Sequence, residues 1–170
     1  GAGYVYCDEF SSPEQAKLEI EKVLGHEREP RNDIKFTSGR IEKSWVKNCI
    51  AIGLASGFLE PLEATSIHST LIQMILFATD YLKEEMDFKN ISIADDFNSR
   101  VGRQFDDFMI FLNAHYISER NDSEFWKHVS NKCIHEKTKN MINKWKRQLP
   151  RMSDFNFYLS GLPHVQYQLY

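Results

Sequence analysis

The spacing of apolar and polar residues along the chain predicts a few short strands followed by longer helices. Tyr4-Val5-Tyr6 is aromatic and β-branched, the composition of a short strand. Ser12-Pro13-Glu14-Gln15 has the form of a capping box with proline in the first turn. The helix it opens would bury Ala16, Ile20 and Val23 and stop at Gly25. Residues 26–33 are too polar and turn-rich for anything but a loop. Ile34, Phe36 and Ser38 alternate with Lys35 and Thr37 as a half-buried strand closed by Gly39. Ile41 to Lys47 then leads, through Trp45, into an apolar run from Cys49 to Ile52 short enough to be a buried strand.

The next stretch organises the rest. Gly53 and Gly57 bracket small residues, so backbone can come close to a neighbour there. Glu60-Pro61 predicts a helix start, because proline at a first helical position gives up only an orphan N–H. Leu71, Ile72, Ile75, Leu76, Thr79 and Leu82 continue that helix at helical spacing. Strand, glycine turn and helix N-terminus together suit an anion or an electron-rich ring. Lys83 to Asp96 is charged and broken by Asn90, which predicts a loop with a short turn. Val101, Phe105, Phe108, Leu112 and His115 predict a long helix with a wide apolar face. Ser123 caps a short helix holding Phe125 and Trp126, and a last helix runs from about Ile134 to Leu149, ended by Pro150. The order is that of an α+β, mainly α-helical fragment, with short strands in residues 1–58 and a helical region in 59–170.

Composition narrows the classes without choosing among them. The 170 residues are 42% hydrophobic and 26% charged, ordinary for a soluble globular protein. A net charge of −3 gives no electrostatic reason to expect nucleic acid or an anionic membrane. No apolar run approaches the length of a membrane span. Cys7, Cys49 and Cys133 are scattered, with no Cys-x-x-Cys pair, and read as reduced thiols of a cytoplasmic protein. His68, His115, His128 and His135 do not pair with a second His or Cys at ligand spacing, so no metal is expected. Unpaired strand edges at residues 4–6 and 49–52 favour association with another chain, a second copy included.

Gly53-Leu-Ala-Ser-Gly-Phe-Leu-Glu-Pro-Leu-Glu-Ala-Thr-Ser-Ile-His68 closely resembles the signature of the flavin-dependent tryptophan halogenases. Gly3-Tyr4-Val5-Tyr6, Phe36-x-x-Gly39-Arg40 with Trp45 and Asn48, His115-Tyr116, and Phe125-Trp126 after Arg120-Asn121-Asp122 are similar to that family in the same order. The resemblance implies part of a glutathione-reductase-type FAD-binding α/β fold and places a large flavin-binding region before Gly1. The chain is then expected to be an internal or C-terminal piece of a longer polypeptide, inactive in isolation. The implied reaction uses reduced FAD, supplied by a separate flavin reductase, and chloride or bromide. It passes through a flavin hydroperoxide and hypohalous acid to halogenate a tryptophan-like aromatic substrate.

The resemblance also assigns residues. Glu63 matches the glutamate at the indole site that assists chlorination, although glutamate early in a helix can equally offset the macrodipole. Glu60, ahead of the proline, is expected to be structural. Thr65 and Ser66 match the positions whose backbone N–H groups bind halide. Gly53, Leu54, Ala55, Ser56, Gly57 and Phe58 match the strip along the flavin, where the plainer reading is that the glycines let helix pack on strand. The family usually has serine where Ala64 stands, a change that should matter little to a backbone halide site. The family's lysine and its N-terminal glycine-rich loop have no counterpart between Gly1 and Tyr170. Phe125, Trp126 and Trp145 are expected in the core, and Phe155 to Tyr170 over the substrate. Two other readings share these residues: an FAD-dependent aromatic monooxygenase, disfavoured by Leu54 where related hydroxylases carry aspartate, and a non-catalytic helical fragment.

Overall fold

The computed structural model describes residues 2–82 and 90–154. Helix α1, Pro13–Leu24, starts as the sequence dictates. The Ser12 hydroxyl accepts from the Gln15 N–H at 3.3 Å, the Gln15 side chain accepts from the Ser12 N–H at 2.8 Å, and Gly25 closes the helix at φ 75°. Of its predicted inward residues, Ala16 is buried and Ile20 half-buried, but Val23 is 80% exposed.

Strands are shorter than expected. Residues 4–6 and 34–38 form no ladder, and Ile34 is exposed. Phe36 instead lays its ring edge-on to Phe58 at 5.1 Å. Strand β1 is Gly39–Arg40, β2 Trp45–Val46, β3 Cys49–Ile50 and β4 Gly57–Phe58. β1 pairs antiparallel with β4, and β2 with β3, giving two separate two-stranded ladders. A two-stranded ladder is marginal alone, and side chains complete the second one. Asn98 accepts from the Trp45 N–H at 2.7 Å and donates to the Trp45 carbonyl at 2.9 Å, doing what a third strand would do.

The helical part comprises α2 (Thr65–Leu76), α3 (Ile91–His115), α4 (Glu124–Lys132) and α5 (Glu136–Trp145). α3 is longer than predicted, because Asn90 caps it rather than breaking it. The Asn90 side chain accepts from the Ser92 N–H, so residues 91–96 are its first turns and not a loop. Ser123 caps α4 as expected, accepting from the Trp126 N–H at 3.3 Å. α3 is the spine. Its first half buries Phe97, Val101 and Phe105 with Trp45, Leu76 and Tyr81, the Trp45 ring meeting Phe77, Tyr81 and Phe97 edge-on. Its second half buries Ile110, Phe111 and Leu112 against Leu59, Leu62, Met141 and Trp145.

α2 follows the expected pattern at Leu76 and departs from it elsewhere. Its buried residues are Thr65, Ser69, Gln73 and Leu76, while Ile67, Leu71, Met74 and Ile75 face outward. After Leu76 the backbone widens into a π turn over Phe77–Tyr81, which points Tyr81 into the core, its hydroxyl donating to Asp96. Leu82 is exposed. The architecture is mainly helical with short strands, as predicted, and no helix among the described residues is long and apolar enough to cross a membrane.

Candidate functional site

The predicted helix start at Pro61 is corrected by the structure. Pro61 is right-handed, and Leu62–Ala64 form a single tight turn in which Glu63 sits at φ 57°, ψ 19° and Ala64 at φ 51°, ψ 29°. Two consecutive non-glycine residues in the left-handed region end one turn before the next helix begins at Thr65. Each costs of order 1–2 kcal/mol. On one side of the break Leu62 packs on the cluster at the second half of α3, and on the other Leu76 of α2 lies in the cluster at the first half, while Leu59 touches both. Glu63 therefore does not lie three positions into a helix. It precedes the cap residue, is exposed, and has no hydrogen-bond or ion-pair partner among the described residues.

Thr65 and Ser66 become the first two residues of α2, where N–H groups have no acceptor within the helix itself. The Thr65 N–H is donated to the Leu62 carbonyl, which leaves Ser66 as the first N–H beyond that bond. Ala64, in the cap position, supplies no side-chain bond. Thr65 and Ser66 share a cavity of about 10 Å³ with Gly57, Phe58, Leu59, Ser69, Phe105 and Phe108, room for about one water-sized guest. The structure thus brings the predicted halide pair against the end of the predicted flavin strip.

Within that strip the residues divide. Gly53–Ala55 is a tight turn, with Gly53 and Ser56 buried and Leu54 and Ala55 exposed. A Cβ on Gly53, at φ 63°, would stand 2.7 Å from Thr70 Oγ1. One on Gly57 would stand 2.7 Å from Phe105 Cζ and 2.8 Å from Arg40 Cβ. Both glycines are therefore already required by helix-on-strand packing. The surface left for a ligand is the Leu54–Ala55 edge and the half-buried Gly57 and Phe58.

The carboxylate beside this turn whose pKa is raised is Glu60, which the sequence marks only as structural. Tyr116 donates its hydroxyl to Glu60 Oε2 at 2.7 Å, and Oε1 is buried without a partner among the described residues. Burial raises the Glu60 pKa above the ordinary carboxyl range, while the Tyr116 hydrogen bond and the nearby His115 pull it back. Burial and the carboxylate together push the Tyr116 phenol upward. Fifty-six residues separate the pair, and only the His115-Tyr116 dipeptide hinted at it. Tyr116 packs in turn on Phe125 and Trp126, with the Arg120 guanidinium 4.2 Å above the Trp126 ring. Phe125 and Trp126, expected in the core, are half-buried and lie in neither core cluster, whereas Trp145 packs against the second one. The histidines also have local roles: His68 meets Phe108 edge-on, and His135 caps α5 by accepting from the Lys137 N–H. The segment expected over the substrate, Phe155 to Tyr170, lies outside the described residues.

The family model for tryptophan halogenase matches residues 1–163. The chain belongs to the tryptophan halogenase family. It is 35% identical over 175 residues to the tryptophan 6-halogenase SttH of Streptomyces toxytricini, covering 98% of this chain and 32% of that one. Among solved structures it is similar to the thermophilic tryptophan halogenase Th-Hal from Streptomycin violaceusniger, at 34% identity and a TM-score of 0.85 over 97% of this chain and 32% of that one. It also resembles BrvH, a flavin-dependent halogenase from Brevundimonas sp. BAL3, at 31% identity and a TM-score of 0.67 over 94% and 33% of the two chains. The chain thus spans about a third of the length of these halogenases. The family's fold accounts for a mainly helical piece whose short strands pair only with each other.

Proposed function

We propose that this chain supplies the halide- and glutamate-bearing part of an FAD-dependent halogenase acting on tryptophan or a related indole. The observation that carries this reading is the cavity in which Thr65 and Ser66, at an uncapped helix start, meet Gly57 and Phe58. The Leu54–Ala55 edge is apolar and exposed, which fits one side of a flavin ring. No Gly-x-Gly-x-x-Gly turn stands in the 170 residues to hold its pyrophosphate, so the fit is to the ring alone. Reduced FAD with oxygen, when bound, supplies the oxidising equivalent that turns halide into an electrophile.

The chain's own residues do the rest. The Ser66 N–H and the positive end of α2 attract a chloride or bromide. Thr65 adds its hydroxyl, held only at 3.5 Å by the Leu62 carbonyl. Leu59, Phe105 and Phe108 keep water from the anion. Glu63, exposed and without a partner among the described residues, polarises the oxidant or accepts the ring proton released on substitution in this reading. A separate flavin reductase delivers the reduced cofactor, and the three free thiols suit the reducing cytoplasm.

The test uses the full-length protein with reduced FAD, oxygen, bromide and tryptophan, the products being read by mass spectrometry. Monohalogenated product that disappears without halide is expected. Hydroxylated product made equally well without halide would instead assign a monooxygenase, and no flavin-dependent product would leave a non-catalytic role.

A further inference from the structure

The inward face of α2 carries a glutamine where a core helix would ordinarily carry leucine. Gln73 is completely buried, as are Ser56 and, to 1% exposure, Gln104. Every polar atom of the Gln73 amide is used. Its Oε1 accepts from the Gly53 N–H at 2.9 Å and lies 3.0 Å from the Ser56 hydroxyl. The hydroxyl shares its single proton between that oxygen and the Gly53 carbonyl at 2.7 Å. Its Nε2 donates to Gln104 Oε1 on α3 at 3.0 Å. The orientation of the amide is forced, because a backbone N–H can only donate and so must face the oxygen. A buried amide with all its partners is stable, whereas removing it strands the groups it satisfied.

The Gly53–Ser56 turn is therefore held to α2 at two points one helical turn apart. Thr70 fills the space a Cβ on Gly53 would need, and Gln73 takes the Gly53 N–H. The same helix begins with Thr65 and Ser66. We infer that Gln73 is a positioning residue, which fixes the distance between the Leu54–Ala55 edge facing the flavin and the first turn of α2 facing the halide. This rests on the halogenase reading above. In a reaction where an oxidant formed beside one surface must meet an anion held by another, such a spacing decides whether oxidant is used or lost. Loss of the amide then lowers coupling more than it lowers oxygen consumption.

The experiment compares Gln73→Leu, Gln73→Glu and Ser56→Ala with wild type in the full-length protein. Glutamic acid, kept protonated by complete burial, can still accept both hydrogen bonds from the turn through its carbonyl oxygen and donate its O–H to Gln104 Oε1. Gln73→Leu is expected to lower halogenated product per oxygen consumed at least tenfold, the balance appearing as hydrogen peroxide. Gln73→Glu should restore most of that coupling, and Ser56→Ala should fall between and cover the case in which leucine prevents folding. Without cofactor, hydrogen exchange of a peptide spanning residues 53–57 should quicken at least tenfold in Gln73→Leu while α4 is unchanged. Coupling and exchange both within twofold of wild type would overturn the inference, as would a glutamate variant no better than leucine. If wild type itself makes no halogenated product, the functional reading fails separately, and exchange with FAD affinity decides the positioning role: both unchanged in Gln73→Leu would overturn it.

Discussion

Glu63 has two separable properties, a free carboxylate and a left-handed backbone, and two substitutions pull them apart. Glu63→Gln keeps size and backbone but cannot take up a proton. Since Glu63 is exposed and touches no described partner, stability should stay within about 0.5 kcal/mol of wild type. Product formation in the full-length protein should fall by roughly 10²–10⁴, the usual worth of a positioned proton-transfer group. Glu63→Gly removes the carboxylate and also the Cβ that disfavours φ 57°. The relief is about 1–2 kcal/mol, against about 0.5–1 kcal/mol of extra chain entropy lost on folding. The glycine variant should therefore be as stable as wild type or more so, by up to about 1.5 kcal/mol, and as inactive as the glutamine one. Halogenated product, released peroxide and urea midpoints measure all three effects. If Glu63→Gln forms product within about threefold of wild type, the carboxylate is not part of the chemistry and the site assignment fails. A glycine variant less stable than wild type would show that the side chain does structural work not visible in its contacts.

Two further expectations concern the surroundings of that turn. Glu60 has its folded pKa raised mainly by burial, so its favourable contribution is complete below about pH 4.3, the unfolded value, and is lost as pH rises through the raised one. Glu60→Gln, neutral throughout, should flatten the fall of unfolding free energy with pH above that point; urea titrations at several pH values would refute this if the slope is unchanged. Gly57→Ala would set a Cβ 2.7 Å from Phe105 Cζ and 2.9 Å from the Arg40 Cα, and only the phenyl ring can give way. It should cost about 1–3 kcal/mol, and a melting temperature equal to wild type would show that β1 and β4 have more freedom than this packing allows.

Local grammar was legible in the sequence and spatial partnership was not. Ser12 with Gln15, Gly25 and Ser123 each act where their residue types require, because a cap is satisfied within four residues. The motif from Gly53 to His68 identified the family for the same reason. Period alone, however, shows that α2 has a stripe and not which side of it is inside. Leu71 and Ile75 read as core, yet Gln73 is buried, because the turn at Gly53 needs a hydrogen-bond acceptor that no apolar residue provides. The strands that propensity predicts at 4–6 and 34–38 do not form, since a ladder exists only where another strand lies beside it. Glu60 reads as no more than structural in the sequence, because its hydrogen-bond partner, Tyr116, lies far along the chain.

The misplaced helix start bears most directly on function. A side-chain cap requires an extended backbone at the cap residue, from which a hydroxyl or carboxylate reaches the N–H groups of the next turn. Ser12, Asn90 and Ser123 all have that conformation and all cap. Ala64 sits at φ 51°, ψ 29°, where even a serine could not reach round to do so. The backbone, and not the choice of side chain, leaves the start of α2 uncapped, at a cost to the helix of about 1 kcal/mol. It follows that alanine in place of the family's usual serine leaves the proposed anion site as it would otherwise be. It follows too that the left-handed pair Glu63-Ala64 and the buried Gln73 belong to one arrangement. The first keeps the N–H groups open, and the second holds the helix against the turn that a self-satisfied cap would otherwise have helped to fix.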